Sequence, residues 1–163
     1  MSLENVSTID DVRIDGIDDL VSPNEIIARY LVPTETAALI EATRSRIAKI
    51  MRGEDPRLLV VIGPCSIHDA DAALDYAQKL MRIREQYADK LEIVMRTYFE
   101  KPRTSLGWKG YINDPVLKES FKINEGLELE RAIILSNNNM GLPTAGELSD
   151  AITTPYCADQ MSV

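Results

Sequence analysis

Basic side chains cluster in one short segment of the chain, between positions 96 and 109. Four cations and a single acidic residue give this segment a local charge of +3; they are Arg96, Lys101, Arg103, Lys109 and Glu100. Arginine presents a planar fork of N–H donors and lysine a compact point charge, which together suit a phosphate dianion. Lys101 could also serve as a general acid. The cluster favours an anion site, although a solvated loop with unrelated charges is the alternative.

A cysteine and the only histidine of the chain lie three positions apart, after a predicted strand. Cys65 follows the bend-forming pair Gly63-Pro64, and it could be a nucleophile, a soft metal ligand or an inert packed thiol. His68 completes a Cys-x-x-His pattern, which is half of a zinc site, but it could equally cap the next helix or bind phosphate. Cys157 falls in a predicted helix, where packing is the simplest role.

Apolar periodicity predicts two leading helices followed by a β-α-β-α-β-α alternation. A capping box at 22–25 begins the first helix, Thr34 is the expected cap of the second, and an unbroken apolar run at 58–62 predicts a strand buried on both faces. The predicted helices cover 23–30, 35–52, 69–90, 124–139 and a segment from Thr154, and the predicted strands cover 58–62, 91–99 and 142–148.

This alternation predicts an α/β fold with a parallel sheet and right-handed crossovers. The sheet could be doubly wound and open, or it could belong to an eight-fold β/α barrel. Residues 58–163 are far fewer than the ~200 residues of a full barrel. The chain therefore contains either a small open sheet or the first part of a barrel.

Functional residues of parallel α/β folds lie where strands pass into loops at their carboxyl ends. Cys65 follows the first strand, the basic segment begins at Arg96 near the end of the second, and Glu147 lies at the end of the third. Glu147 could orient one of the cations or take part in proton transfer. We therefore expect these side chains to meet at one edge of the sheet.

Composition excludes several classes of protein. The chain has 163 residues, 45% of them hydrophobic, and a net charge of −8, which is unsuited to a nucleic-acid partner. No apolar run reaches the ~20 residues that span a bilayer, so no membrane association is expected. Two cysteines are too few for a disulfide scaffold, which indicates a reducing, cytoplasmic setting. Residues 1–30 hold seven acids against two arginines, and residues 1–21 of this acidic stretch are predicted to form an arm.

Three strings of residues resemble a known enzyme family. They are G-P-C-S-I-H-D at 63–69, Y-F-E-K-P-R-T at 98–104 and G-W-K-G at 107–110. They resemble the class I, microbial and feedback-regulated 3-deoxy-D-arabino-heptulosonate-7-phosphate (DAHP) synthases, and the resemblance runs from about Asp10 to the last residue. It implies condensation of phosphoenolpyruvate with erythrose 4-phosphate, the first step of the shikimate pathway to chorismate and the aromatic amino acids.

The resemblance also implies the architecture and the site. Residues 1–57 would form an N-terminal arm with helices, and 58–163 the first three units of an eight-fold β/α (TIM-type) barrel, truncated near strand four. Phosphoenolpyruvate would meet Arg96, Lys101 and Glu147, with Lys101 also close to the chemistry. Erythrose 4-phosphate would contact Lys101, Pro102, Arg103 and Thr104. Cys65 would bind a divalent metal such as Mn, Fe or Co, whose other ligands (a histidine, a glutamate and an aspartate) are not in this chain.

Regulation and assembly follow from the same resemblance. Asp10, Asp11 and Asp150 match positions associated with the site for an aromatic amino acid inhibitor. The arm would pair with a neighbouring subunit in a homo-oligomer. Thr154-Pro155 departs slightly from the usual Pro-Gln spacing of the family.

Two hypotheses of different class follow for this polypeptide. In the first, it is a truncated synthase that is inactive alone, and in the second, it is a non-catalytic fragment that only binds or oligomerises. The intact series Cys65, Arg96, Lys101, Arg103 and Glu147 favours the first, because a long-decayed fragment would have lost some of these residues.

Overall fold

Parallel strands form the centre of the structure, a computed structural model that describes residues 14, 16–101, 106–148 and 151–163. Within these residues the sheet has three strands in the order β1 (Leu58–Ile62), β2 (Leu91–Thr97) and β3 (Thr144–Gly146). Leu58 pairs with Leu91 and Thr97 pairs with Gly146, both in parallel register. The predicted parallel sheet is therefore confirmed for this part of the chain.

Helices supply the crossovers that parallel neighbours require. Helix α3 (Ala70–Gln86) connects β1 to β2, and α4 (Ile123–Asn139) precedes β3. Ala77 and Leu80 of α3 pack with Ile93 and Met95 of β2 in a core on one side of the sheet. Ala77 and Leu80, one turn apart, thus form part of the face of α3 that packs on the sheet.

Two helices precede the sheet. Helix α1 (Pro23–Arg29) begins with the predicted capping box, in which the Glu25 backbone N–H donates to the Ser22 hydroxyl and the Glu25 carboxylate accepts from the Ser22 N–H. Helix α2 (Thr34–Met51) begins differently from the prediction: Pro33 is its N-cap and makes no side-chain hydrogen bond. Thr34 is the first residue inside the helix, so its assignment as the cap is wrong.

Strand β1 is less covered than its apolar sequence predicted. Leu58, Val61 and Ile62 are 65%, 43% and 45% exposed. Within the described part of the chain, β1 is an edge strand, paired with β2 on one side only. The expectation of burial on both faces is therefore wrong for this structure.

The chain after β3 packs back onto the helices. Helix α5 (Thr154–Cys157) and a following 3-10 turn (Ala158–Gln160) lie against α4 through a fully buried Arg131. Its guanidinium donates to both carboxylate oxygens of Asp159 and to the Tyr156 carbonyl, and also to the Tyr30 carbonyl at the end of α1. One buried cation thus joins the amino-terminal helices to the end of the chain.

Helix α2 makes a second connection to the same region. Arg44 donates from Nε to the Met161 carbonyl at 2.9 Å and from Nη2 to the Ala158 carbonyl at 3.0 Å. The segment held in this way lies along β3, where the Ser162 N–H donates to the Thr144 carbonyl at 2.8 Å. Arg44 therefore fixes the position of the backbone that borders β3.

A buried carboxylate organises the amino end of β2. The Glu92 side chain is 1% exposed and lies 2.7 Å from Arg46, 3.0 Å from Arg57 and 3.2 Å from Arg84. Burial acts to raise the pKa of Glu92, but the three guanidiniums outweigh it and hold that pKa below its usual value. The cluster ties α2, α3 and the loop before β1 to a single residue of the sheet.

No helix among the described residues is long and apolar enough to span a lipid bilayer.

Candidate functional site

The loop after β1 is held close against the carboxyl end of β2. A Cβ atom at Gly63 would lie 2.1 Å from the Arg96 carbonyl oxygen, so a glycine is required for the two backbones to approach this closely. The Ile67 N–H donates to the Tyr98 carbonyl at 2.8 Å and fixes the far end of the loop. Between these two anchors Cys65 is exposed.

Arg96 connects the ends of all three strands. Its Nη1 donates to the carbonyls of Pro64 at 2.8 Å and Cys65 at 3.0 Å, in the loop after β1. Its Nε donates to Oε1 of Glu147 at 2.8 Å, directly after β3, and Nη2 contacts the same oxygen. The expectation that Glu147 could orient one of the cations agrees with this contact.

Lys101 also contacts the loop after β1, at Cys65. Its Nζ donates to the Cys65 carbonyl at 3.1 Å and lies 3.2 Å from the Cys65 sulfur. Its backbone N–H donates to the Lys109 carbonyl at 2.8 Å, which holds the loop after β2 in place. The predicted side chains Cys65, Arg96, Lys101 and Glu147 therefore meet at one edge of the sheet.

An aromatic ring lies beneath both cations. The Tyr98 ring centroid is 4.9 Å from Cζ of Arg96 and 5.0 Å from Nζ of Lys101, within the range of cation–π contacts. Tyr98 was not among the predicted site residues. The signal that could have found it is the two-residue alternation of a strand, which puts Arg96 and Tyr98 on the same side of the extended chain.

Charge at this edge favours an anion. Among the described side chains that meet here, two cations face one carboxylate, and Glu147 is 54% exposed. Arg96 is itself 25% exposed, so a ligand can reach its guanidinium. The arrangement can bind and orient a phosphate or carboxylate group, with an ammonium and a thiol beside it.

Several predicted residues lie outside the described part of the chain. These are Pro102, Arg103 and Thr104 of the basic loop, and Asp10, Asp11 and Asp150 of the expected inhibitor site. Their roles stay predictions, as do the roles assigned above to Cys65, Arg96, Lys101 and Glu147.

The described residues do not form a metal centre by themselves. No group of three histidine, cysteine, aspartate or glutamate side chains among them is placed to hold a metal ion. Cys65 offers one soft ligand, whereas a stable site needs about four or more. These residues alone therefore do not fit the metal that the resemblance implies.

Two further candidates, His68 and Cys157, do not join this cluster. Asp69, not His68, caps α3, since its carboxylate accepts from the Ala72 N–H at 2.7 Å. The interpretation of His68 as a cap is wrong, and its side chain is exposed. Cys157 is buried, as expected for packing, and burial together with Glu130 raises the pKa of its thiol.

Comparison with known proteins identifies the family. A sequence model of the DAHP synthetase I family matches residues 31–163, which is most of the chain. The chain belongs to the DAHP synthetase I family. The family resemblance seen in the three strings of residues is therefore confirmed.

Relatives within the DAHP synthetase I family match nearly the whole chain. The Trp-sensitive phospho-2-dehydro-3-deoxyheptonate aldolase of Salmonella typhi is 53% identical over 153 residues, 94% of this chain and 44% of that protein. The phospho-2-dehydro-3-deoxyheptonate aldolase of Haemophilus influenzae is 48% identical over 160 residues, again covering 44% of its length. The Phe-sensitive enzyme of Escherichia coli is 52% identical over 153 residues. The chain thus spans less than half the length of these relatives.

A solved structure supports the same assignment. The phospho-2-dehydro-3-deoxyheptonate aldolase of Francisella tularensis superposes with a TM-score of 0.88 and 42% identity, over 91% of this chain and 43% of that one. The described α/β arrangement is therefore that of the corresponding part of a DAHP synthetase I family member.

Proposed function

We propose that this chain is the amino-terminal part of a DAHP synthase, the enzyme that condenses phosphoenolpyruvate with erythrose 4-phosphate. In this proposal β1, β2 and β3 are the first strands of an eight-fold β/α barrel. Support comes from the family match and from identities of about half across 94–98% of the chain. The chain covers 44% of each of these relatives, so the activity is proposed for a longer polypeptide of which this chain is a part.

One observation carries the proposal: Arg96 and Lys101 converge on Cys65 at the carboxyl end of the sheet. Phosphoenolpyruvate carries a carboxylate and a phosphate, and a guanidinium beside an ammonium is suited to bind such a ligand. Glu147 would hold the Arg96 fork in one orientation through its carboxylate. Arg103 and Thr104 are proposed, on the resemblance alone, to contact erythrose 4-phosphate.

The proposed reaction balances without an oxidant or reductant. A carbon–carbon bond forms between the methylene carbon of phosphoenolpyruvate and the aldehyde carbon of erythrose 4-phosphate. Water adds to the enol carbon, and inorganic phosphate leaves. Lys101 is the proposed catalytic residue, because its ammonium can hold or donate a proton where the aldehyde oxygen becomes an alkoxide.

No step of this proposal depends on a metal held by the described residues. Cys65 would contribute one ligand to the divalent ion that the family resemblance implies, and that ion would polarise the aldehyde. The remaining ligands would have to come from a part of the enzyme other than the described residues.

Substitution of Arg96 by alanine tests the proposed substrate site. We expect binding of phosphoenolpyruvate to weaken about 10- to 150-fold, because a hydrogen-bonded charge pair contributes about 1.5–3 kcal/mol. The measurement is a titration of the purified chain with phosphoenolpyruvate, followed by nuclear magnetic resonance (NMR).

Arg52→Ala is the matched control for Arg96→Ala. Arg52 is 58% exposed and pairs with the equally accessible Glu54 at the end of α2, so its removal should leave phosphoenolpyruvate binding unchanged. Equal affinities for wild type and Arg96→Ala would refute the assignment of this edge as the substrate site.

The chain alone is expected to show no synthase turnover. The reason is that Cys65 is a single ligand and the described residues offer no cluster that could complete a metal site. The measurement is DAHP formation by the homogeneous chain with phosphoenolpyruvate, erythrose 4-phosphate and Mn²⁺, with its mass confirmed. A full-length family member is the positive control, and detectable turnover by the pure chain would show that the catalytic site assembles without further polypeptide.

Feedback control and assembly through the arm are further parts of the proposal. They are supported by the Trp-sensitive and Phe-sensitive names of the relatives. Asp10, Asp11 and Asp150 would contribute to the inhibitor site, and residues 1–21 to the subunit contact. If so, a chain lacking residues 1–21 should sediment as a smaller species than the intact chain in analytical ultracentrifugation. If the shortened and intact chains had the same number of subunits, the arm would have no part in assembly.

A further inference from the structure

We propose that Tyr98 is a positioning residue whose ring holds the Arg96 and Lys101 cations together for an anionic substrate. The identity of that substrate rests on the proposed function, whereas the role of the ring rests on the geometry alone. Both cations lie about 5 Å from the ring centroid, 4.9 Å for Arg96 Cζ and 5.0 Å for Lys101 Nζ. Contacts within about 6 Å are attractive because the face of an aromatic ring is electron-rich.

The ring is fixed at this position by its surroundings. Tyr98 is 6% exposed, and its carbonyl accepts from the Ile67 N–H at 2.8 Å. The next residue, Phe99, is 2% exposed, and its ring packs 6.4 Å from that of Tyr111. A buried ring whose own backbone is hydrogen-bonded and whose neighbour Phe99 is packed can act as a platform with little freedom of its own.

The need for such a platform comes from the charges it carries. Arg96 is paired with the Glu147 carboxylate. The Lys101 ammonium is held instead by the Cys65 carbonyl, which is a neutral acceptor, and by the Cys65 sulfur, which is a weak one. Two cations gathered at one site repel each other before an anion arrives. The face of a ring beneath both cations offsets part of that repulsion. A second carboxylate would instead neutralise one of the cations, and the ring does not.

A ring that merely filled space would behave differently from a ring that attracts cations. Space filling depends on volume and shape, and phenylalanine or a fluorinated phenylalanine would serve it equally well. Cation attraction depends on the electron density of the ring face, which fluorine withdraws. The two roles therefore separate in variants that keep the ring and change its electronics.

The test compares three substitutions at position 98: phenylalanine, 3,4,5-trifluorophenylalanine and leucine. One measurement is phosphoenolpyruvate affinity by NMR titration of the intact chain. The other, made without substrate, is the ring-current shift and relaxation of the Lys101 and Arg96 side-chain resonances. We expect Tyr98→Phe to stay within about twofold of wild type in affinity. The trifluorinated variant should bind about 2- to 5-fold more weakly than Tyr98→Phe, the fold-change equivalent of about 0.5–1 kcal/mol for one cation–π contact.

The same trifluorinated residue at position 99 is the control. The Phe99 ring packs against Tyr111 and is buried like Tyr98, so fluorination there should leave affinity and the cation resonances unchanged. If Tyr98→Leu fails to fold, the comparison of phenylalanine with its trifluorinated form still decides the question.

The outcomes separate this inference from the proposed function. If the wild type binds phosphoenolpyruvate and the phenylalanine and trifluorinated variants bind it with equal affinity, the role of Tyr98 is overturned and the substrate site stays intact. Absence of phosphoenolpyruvate binding by wild type overturns the substrate site. In that case the side-chain resonances of Arg96 and Lys101 decide the role of the ring. If their shifts and mobility are the same with phenylalanine and with trifluorophenylalanine, that role is overturned. If the two side chains become more mobile with the fluorinated ring, it is supported.

Discussion

Replacing Glu92 with glutamine is expected to lower the free energy of unfolding by about 3 kcal/mol. The substitution keeps the size of the side chain and removes its charge, which leaves Arg46, Arg57 and Arg84 gathered without their shared counter-ion. Because these guanidiniums are 18–28% exposed, the expected loss is at the lower end of the range for a broken buried ion pair. Urea denaturation followed by circular dichroism measures the effect.

Glu54→Gln is the matched control, because it makes the same change of side chain at an exposed ion pair. Glu54 and its partner Arg52 are 52% and 58% exposed, so its substitution should change stability by no more than about 0.5 kcal/mol. Equal midpoints for the two glutamine variants would show that the Glu92 cluster does not stabilise the fold.

The effect of Glu92→Gln should also depend on pH, with a definite sign. The arginines hold the pKa of Glu92 below its usual value of about 4.5, although burial opposes them. A depressed carboxyl pKa contributes stability that is fully present above about pH 4.5 and is lost as the pH falls through the lower, folded-state value. The stability difference between wild type and the variant should therefore be constant above about pH 4.5 and narrow as the pH falls below that value. A difference that stays constant as the pH falls below about 4.5 would contradict the charge-based explanation.

Replacing Gly63 with alanine is expected to destabilise the fold by about 3 kcal/mol and to weaken phosphoenolpyruvate binding. The new Cβ would lie 2.1 Å from the Arg96 carbonyl oxygen, a backbone atom that cannot move without disturbing the end of β2. Separation of the two backbones would also pull the Pro64 and Cys65 carbonyls away from the Arg96 guanidinium. Denaturation midpoints and the NMR titration measure the two effects on the same sample.

Gly16→Ala is the control for this substitution, because a Cβ at Gly16 would meet no atom within 4 Å. It should change stability by no more than about 0.5 kcal/mol and leave binding unaltered. A Gly63→Ala chain as stable as Gly16→Ala would mean that the two backbones separate without cost. The close approach would then have no part in positioning Arg96.

The position of the candidate site could be predicted because it depends on a general property of parallel sheets. The carboxyl ends of neighbouring strands and the loops after them meet at one edge, so residues at the ends of three predicted strands had to converge. Cys65, Arg96, Lys101 and Glu147 do converge, and the contact between Arg96 and Glu147 joins residues 51 positions apart. A separation of 51 residues along the chain gives no sign of such a contact, whereas the order of the strands in the sheet does.

The details that were predicted wrongly depend on surroundings that a local pattern cannot show. The apolar run of β1 indicates a strand, but whether Val61 is covered depends on what lies beyond the edge of the sheet. Competition between neighbouring residues decided the caps: Asp69 rather than His68 accepts from the first turn of α3, and Pro33 precedes α2. Helix boundaries were correct to within a few residues because periodicity locates a helix. These two caps were wrong because a single side chain decides the first residue of a helix, and periodicity does not show which one.

Buried charges were also beyond prediction. Arg131 stands in a helix with a polar and apolar mixture that gives no sign of its complete burial, and its partners Tyr30 and Asp159 come from opposite ends of the chain. Glu92 lies in a strand where a buried carboxylate is rare, and only three arginines from separate elements make it tolerable. Long-range pairing of this kind becomes visible only in three dimensions.

The contact of Arg44 with the Met161 carbonyl has a consequence for the time at which α2 becomes ordered in a growing chain. The two residues are 117 positions apart, so at a synthesis rate of about 5–20 residues per second their emergence is separated by roughly 6–23 s. During that interval the helix lacks the acceptors that hold it against the strand edge. The buried polar side of α2, with Thr36 and Thr43, is then open to solvent and to molecular chaperones. Helix α2 therefore reaches its final contacts only after residues 158–161 have left the ribosome.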